Sequence, residues 1–73
     1  NYKKRKKVRN RLSWIDKRFY TIENELEIQR SIIQDPENGR DFELLQKTLE
    51  KMTDLESEYL GLMSEKEILM NKS

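Results

Sequence analysis

The chain has no cysteine and no histidine among its 73 residues. Without them there is no disulfide framework, none of the common zinc ligand sets, and no imidazole or thiolate chemistry. Glycine occurs twice and proline once, so there are few residues to punctuate turns, and a fold of many short elements is excluded. No apolar run approaches the ~20 residues needed to cross a bilayer, and no signal-peptide core is present. A chain this short buries a modest share of its surface, which allows one small domain at most.

What the sequence has in abundance is charge. Charged residues make up 40% and apolar residues 34%, a balance typical of long helices and coiled coils. The formal net charge of +1 conceals a split. Seven of the 15 basic residues fall within residues 3–11, which contain no acid; the remaining 8 face 14 acids, a net −6. A basic arm on an acidic body points to a polyanionic partner for the arm, nucleic acid first.

From Val8 onward apolar residues recur as Val8, Leu12, Ile15, Phe19, Ile22, Leu26 and Ile33. Leu12, Phe19, Leu26 and Ile33 occupy heptad position a, and Ile15, Ile22 and Gln29 position d. A period of 3.5 marks a left-handed supercoil with a partner helix. Ser13, followed by Asp16, reads as the N-cap of helix one, so residues 1–12 are expected to be an arm or linker and residues 13–34 the helix. Asp35-Pro36-Glu37-Asn38-Gly39 is a cluster of turn formers, and Pro36 disfavours a helical Asp35. Residues 35–41 are therefore the turn, with Asp41 as the cap of a second helix over 42–70.

The second helix shows a stripe at Phe42, Leu45, Leu49, Met52, Glu56, Tyr59, Met63, Lys66 and Met70. A second phase, Leu55, Leu62 and Leu69, runs beside it. The short loop makes the helices antiparallel neighbours, so the expected fold is an all-α, antiparallel two-helix coiled-coil hairpin that stays monomeric. The expected register sets Leu26 near Leu49, Ile22 near Met52, Phe19 near Leu55 and Glu56, and Ile15 near Tyr59. The last two turns of helix two would then overhang, and the arm, through Val8, would fold back to cover them. Gln29 reads as a seam residue exposed near the wet hairpin tip.

The candidate nucleic-acid contacts are Lys3, Lys4, Arg5, Lys6, Lys7, Arg9 and Arg11, extended by Lys17 and Arg18 at the outward f and g positions. Phosphate backbones bind such segments by counterion release, which requires charge density above precise geometry. Tyr2 and Trp14 are candidates for stacking on unpaired bases. The competing readings of the arm are a solvated linker, a nuclear-localisation patch and a polybasic membrane-surface segment. Trp14 also reads as a structural cover, because the register puts it opposite Gly61, where an indole would find room. The carboxylates lie on helix flanks beside lysine or arginine, as in the i, i+4 pair Glu43 and Lys47. With no phosphate-cradling glycine loop and no core to enclose a substrate, the chain is expected to be non-catalytic, with no cofactor, metal or small-molecule substrate. The rival class is a protein-interaction or dimerisation coiled coil with a disordered basic linker.

Arg11-Leu12-Ser13-Trp14-Ile15-Asp16-Lys17-Arg18-Phe19-Tyr20-Thr21-Ile22-Glu23 resembles the start of the C-terminal coiled coil of ABC-F ATPases of the Uup type. Asp41-Phe42-Glu43-Leu44-Leu45-Gln46 is similar to the opening of that domain's second helix. Two departures stand out: Trp14 replaces the motif tyrosine, and Glu65 and Lys66 occupy the place of an Arg-Trp pair. The resemblance implies the tail domain of a longer, cytoplasmic protein with two ATP-binding cassettes upstream. It further implies action on ribosomes and a tail that associates with DNA or structured RNA.

Overall fold

Heptad spacing on both arms, with one turn between them, produces a rod. In the computed structural model, which describes residues 2–72, α1 spans Tyr2–Gln34 and α2 spans Phe42–Lys72, joined by a short 3-10 turn at Pro36–Asn38. There is no strand among the described residues. The 33 and 31 residues of the two helices give lengths of about 50 and 46 Å, and the molecule measures 57 × 15 × 13 Å. The fold is an all-α helical hairpin.

The start of α1 corrects one expectation. Ser13 does not cap a helix; it sits inside one that already runs from Tyr2. Lysine and arginine are good helix formers, and no glycine or proline interrupts the arm. Val8 extends the seam backwards and is half-buried. The arm therefore continues along α2 as helix and needs no fold-back, and the expected overhang disappears: Leu69 packs against the core. Asn1, counted with the arm, lies outside the described residues.

The turn is closed by its own polar residues. Asp35 is extended (φ −70°, ψ 119°), as the residue before a proline prefers, and its carboxylate accepts from the Glu37 N–H at 3.0 Å. Asn38 Nδ2 donates to the Ile32 carbonyl at 2.9 Å, satisfying one of the open carbonyls at the end of α1. Asp41 caps α2 by accepting from the Leu44 N–H at 3.1 Å.

Burial identifies the seam. On α1, Ile15, Ile22, Leu26 and Gln29 are buried; on α2, Thr48 and Leu62 are. Met52, Leu55, Tyr59 and Leu69 pack against them. The α2 seam therefore reads Leu45, Thr48, Met52, Leu55, Tyr59, Leu62, Lys66, Leu69, in alternating steps of three and four. It takes alternate members from the two phases seen in the sequence. Leu49 (55% exposed) and Met63 (49%) fall outside it, as do Phe42, Glu56 and Met70.

The register differs accordingly by one layer. Phe19, expected near Leu55 and Glu56, packs on Tyr59, with ring centroids 4.6 Å apart. Continuing from that layer sets Ile22 level with Leu55, Leu26 with Met52, and Gln29 with Thr48. Gln29 (6% exposed) and Thr48 (3%) form a polar layer inside the seam, so Gln29 is not at a wet tip. Thr48 tolerates burial because its hydroxyl donates to the Leu44 carbonyl at 2.7 Å.

Flanking charges discriminate between registers. Arg11, Arg18 and Glu25, a heptad apart on α1, face Glu65, Glu58 and Lys51, a heptad apart on α2. The sign inverts along the ladder. Sliding one helix by a heptad would set Glu25 against Glu58, or Arg18 against Lys51. Like charges then meet in every slid arrangement, which selects the observed one.

Candidate nucleic-acid interface

The helical state of the arm fixes which way each basic residue points. Lys3, Lys4, Arg5, Lys6, Lys7 and Arg9 are all exposed. Continuing the heptad backwards places Lys3, Lys6, Lys7, Asn10, Ser13, Trp14, Lys17, Tyr20, Thr21 and Asn24 at positions b, c and f, the side of α1 opposite α2. Every one of these is exposed and none is acidic. The stripe runs about 32 Å along the helix. Glu27, at b, ends the stripe one turn beyond Asn24, and the flanking acids Asp16 and Glu23 occupy e and are turned towards α2: Asp16 accepts from Lys66 Nζ at 2.7 Å, and Glu23 accepts from the Tyr59 hydroxyl at 3.1 Å.

Arg11 and Arg18, taken from the sequence as contacts, are engaged within the hairpin. Arg11 donates through Nε and Nη2 to both oxygens of Glu65, at 2.5 and 2.9 Å. Arg18 makes the same forked contact with Glu58, its Nη2 bond being 2.8 Å. A guanidinium fork matches a carboxylate in this way where a lysine cannot. Each pairing raises the arginine pKa and lowers that of its glutamate, the hydrogen bond being the main cause. Lys3, Lys6 and Lys7 of the arm, with Lys17, make up the outward set, while Lys4, Arg5 and Arg9 are exposed at g, a and e. The signal that could have separated the two sets was the heptad spacing of Arg11, Arg18 and Glu25 against that of Lys51, Glu58 and Glu65.

The arm is electrostatically uncomfortable as a helix. The first turn of α1 has no acid and several cations, the wrong sign for the positive end of a helix dipole. Lys3 with Lys7, and Arg5 with Arg9, are like charges at i, i+4, which destabilise a helix. A bound polyanion would relieve both conflicts at once.

Trp14 departs from its expected role as cover over Gly61. It is 46% exposed, and a Cβ built on Gly61 would meet nothing within 4 Å. The indole stays on the outward side of α1, where the Arg11 guanidinium lies over its ring, 4.3 Å from the centroid. Such cation–π stacking favours an indole held along α1. Tyr2, the other candidate stacking residue, is exposed.

Among the described residues, no group of three or more His, Cys, Asp or Glu side chains is placed to hold a metal ion. No helix is long and apolar enough to cross a membrane. One shallow groove lies on α2 between Phe42, Leu45 and Leu49, and another lies between the helices, lined by Phe19 of α1 and by Tyr59, Met63 and Met70 of α2. No family model, no curated protein and no solved structure matches the chain. Within residues 11–23 and 41–46, Arg11, Ile15, Arg18 and Leu45 serve packing or pairing and Asp41 serves capping.

The ion pairs set a pH dependence with a definite sign. Glu58 and Glu65 have folded pKa values below the unfolded glutamate value of about 4.3. Their contribution to stability is complete above that pH and is lost as pH falls through the lowered values. Tyr59 is raised, chiefly by donating to Glu23, so its contribution is complete below about pH 10 and is lost above it. Helical melts followed by circular dichroism should show a plateau between these limits. Replacing both Glu58 and Glu65 with Gln should flatten the acid limb, and an unchanged acid limb would contradict the assignment.

Proposed function

We propose that this chain is a non-catalytic nucleic-acid-binding hairpin that uses the outward face of α1, from Lys3 to Lys17, as its contact surface. The observation that carries this reading is the continuous exposed face without an acid, carrying Lys3, Lys6, Lys7 and Lys17, on an otherwise acidic molecule. A helix that presents cations in a fixed row loses less conformational entropy on binding than a loose tail does. Binding to phosphates then proceeds by counterion release. On the strength of the resemblance at residues 11–23 and 41–46, we further propose that the hairpin is the C-terminal tail of a Uup-type ABC-F ATPase acting in the cytoplasm. DNA or structured ribosomal RNA is its target in that setting, and the ATPase cassettes lie elsewhere in the parent protein.

The salt dependence of affinity tests the contact surface. With about five phosphates neutralised, the log–log slope on duplex DNA should be near −4.5. Changing Lys6, Lys7 and Lys17 to Gln should reduce the slope by about 2.7 and leave the helical signal in place. An unchanged slope in that variant would remove the arm from the interface.

A second reading, a protein-interaction coiled coil, has its own support. Phe42, Leu49, Met63 and Met70 are exposed along one side of α2 at heptad spacing, with Glu56 between them. A row of large apolar side chains of this kind marks contact surfaces. Sedimentation equilibrium separates the two: the nucleic-acid hairpin should sediment as one chain at all concentrations, whereas self-association with a concentration-dependent melt favours the second reading.

A further inference from the structure

The two arginine–glutamate pairs bracket a gap on the side of the hairpin. Trp14 lies between Arg11 and Arg18 on α1, as Gly61 lies between Glu58 and Glu65 on α2. The pairs are a heptad apart, about 10 Å along the axis. At the level of Trp14 the α2 wall has no side chain, and the space above Gly61 is open. The indole itself is held: Glu65 accepts from the Nε–Nη2 edge of Arg11, and Arg11 covers part of the ring. The result is an aromatic shelf, 46% exposed, on the outward side of α1, with the Arg11 guanidinium over one part of its ring. Its helical neighbours on the solvent side, Asn10 and Lys17, are exposed, as is Lys7 one heptad back on the same line.

We propose that Trp14 is a stacking platform for a single unpaired nucleobase, with Lys7 and Lys17 taking the phosphates on either side. This deepens the basic-face reading and rests on it. The argument for a base, and not merely a phosphate, is chemical. A nucleobase offers a flat π-face, and an indole fixed in position can accept it without first being ordered. Stacking of this sort tolerates any base. A duplex hides its bases and can meet only the cations, so the shelf selects single strands, loops and bulges over paired helix.

The chain contains a single tryptophan, so its emission reports on this shelf alone. Three probes separate the contributions: single-stranded oligothymidylate, the matched duplex, and inorganic polyphosphate as a polyanion without bases. Oligothymidylate should quench Trp14 emission, and bound polyphosphate should not. Trp14→Leu, which alters an exposed position outside the seam, should weaken oligothymidylate binding about tenfold or more and leave duplex affinity within about twofold. Equal quenching by polyphosphate and oligothymidylate overturns the shelf and leaves the basic face standing, as does an unaltered single-strand affinity in Trp14→Leu. Failure of all three probes to bind overturns both.

Discussion

The arrangement depends on a ladder of opposite charges whose sign reverses partway. Arg11 and Arg18 meet Glu65 and Glu58, and Glu25 meets Lys51. Each pair is half-exposed, and pairs of that kind are individually weak sources of stability. Their importance lies in discrimination. A heptad seam repeats itself, so the apolar layers alone accept several alignments that differ by whole heptads. Only one alignment satisfies every rung, and in it Phe19 meets Tyr59 and Gln29 meets Thr48. The turn agrees with the ladder, since Asn38 closes α1 and Asp41 opens α2 at fixed points.

The same ladder divides the cations between structure and surface. The two arginines on the g flank are consumed by glutamates, while the lysines on the far side of α1 are left facing solvent. Three of the four acids of α1 follow the complementary rule, Glu27 being exposed beyond the stripe. Asp16 and Glu23 turn inward to Lys66 and Tyr59, and Glu25 belongs to the ladder. The outcome is a rod whose outward side carries no acid from Lys3 to Asn24, Glu27 being the first beyond it. Because α1 is continuous from Tyr2, that side is presented on the same rigid element that forms the core. The proposed function follows from this partition more than from the number of basic residues.

Much of this was legible in the sequence, and the failures have physical causes. The α1 seam was readable because strongly apolar residues occupy nearly every a and d place. The turn was readable because Asp35, Pro36, Gly39 and Asp41 have few other uses. The α2 seam was harder: two apolar phases run side by side, and only contact with α1 decides between Leu49 and Thr48. Thr48 looks polar in a sequence but buries readily once its hydroxyl bonds to its own helix. Centring the turn near residues 37 and 38 displaced the register by one layer, bringing Leu49 into the seam, and the Arg18–Glu58 and Arg11–Glu65 pairs went unread, so both arginines were assigned to the ligand. Ser13 misled because a capping residue is also acceptable on an exposed helix face, and the preceding lysines and arginines carry the helix past it.

The central claim is that the charge ladder specifies this register, and one double-mutant cycle tests it most directly. Arg18→Glu and Glu58→Arg each bring like charges together, and each should lower the melting temperature at low salt. Combined in one chain, the two changes restore an opposite pair in the same place and should recover most of the loss, a coupling that fades as salt is added. Simple addition of the two losses in the double variant would mean that these residues do not face each other, and the register described above would be wrong.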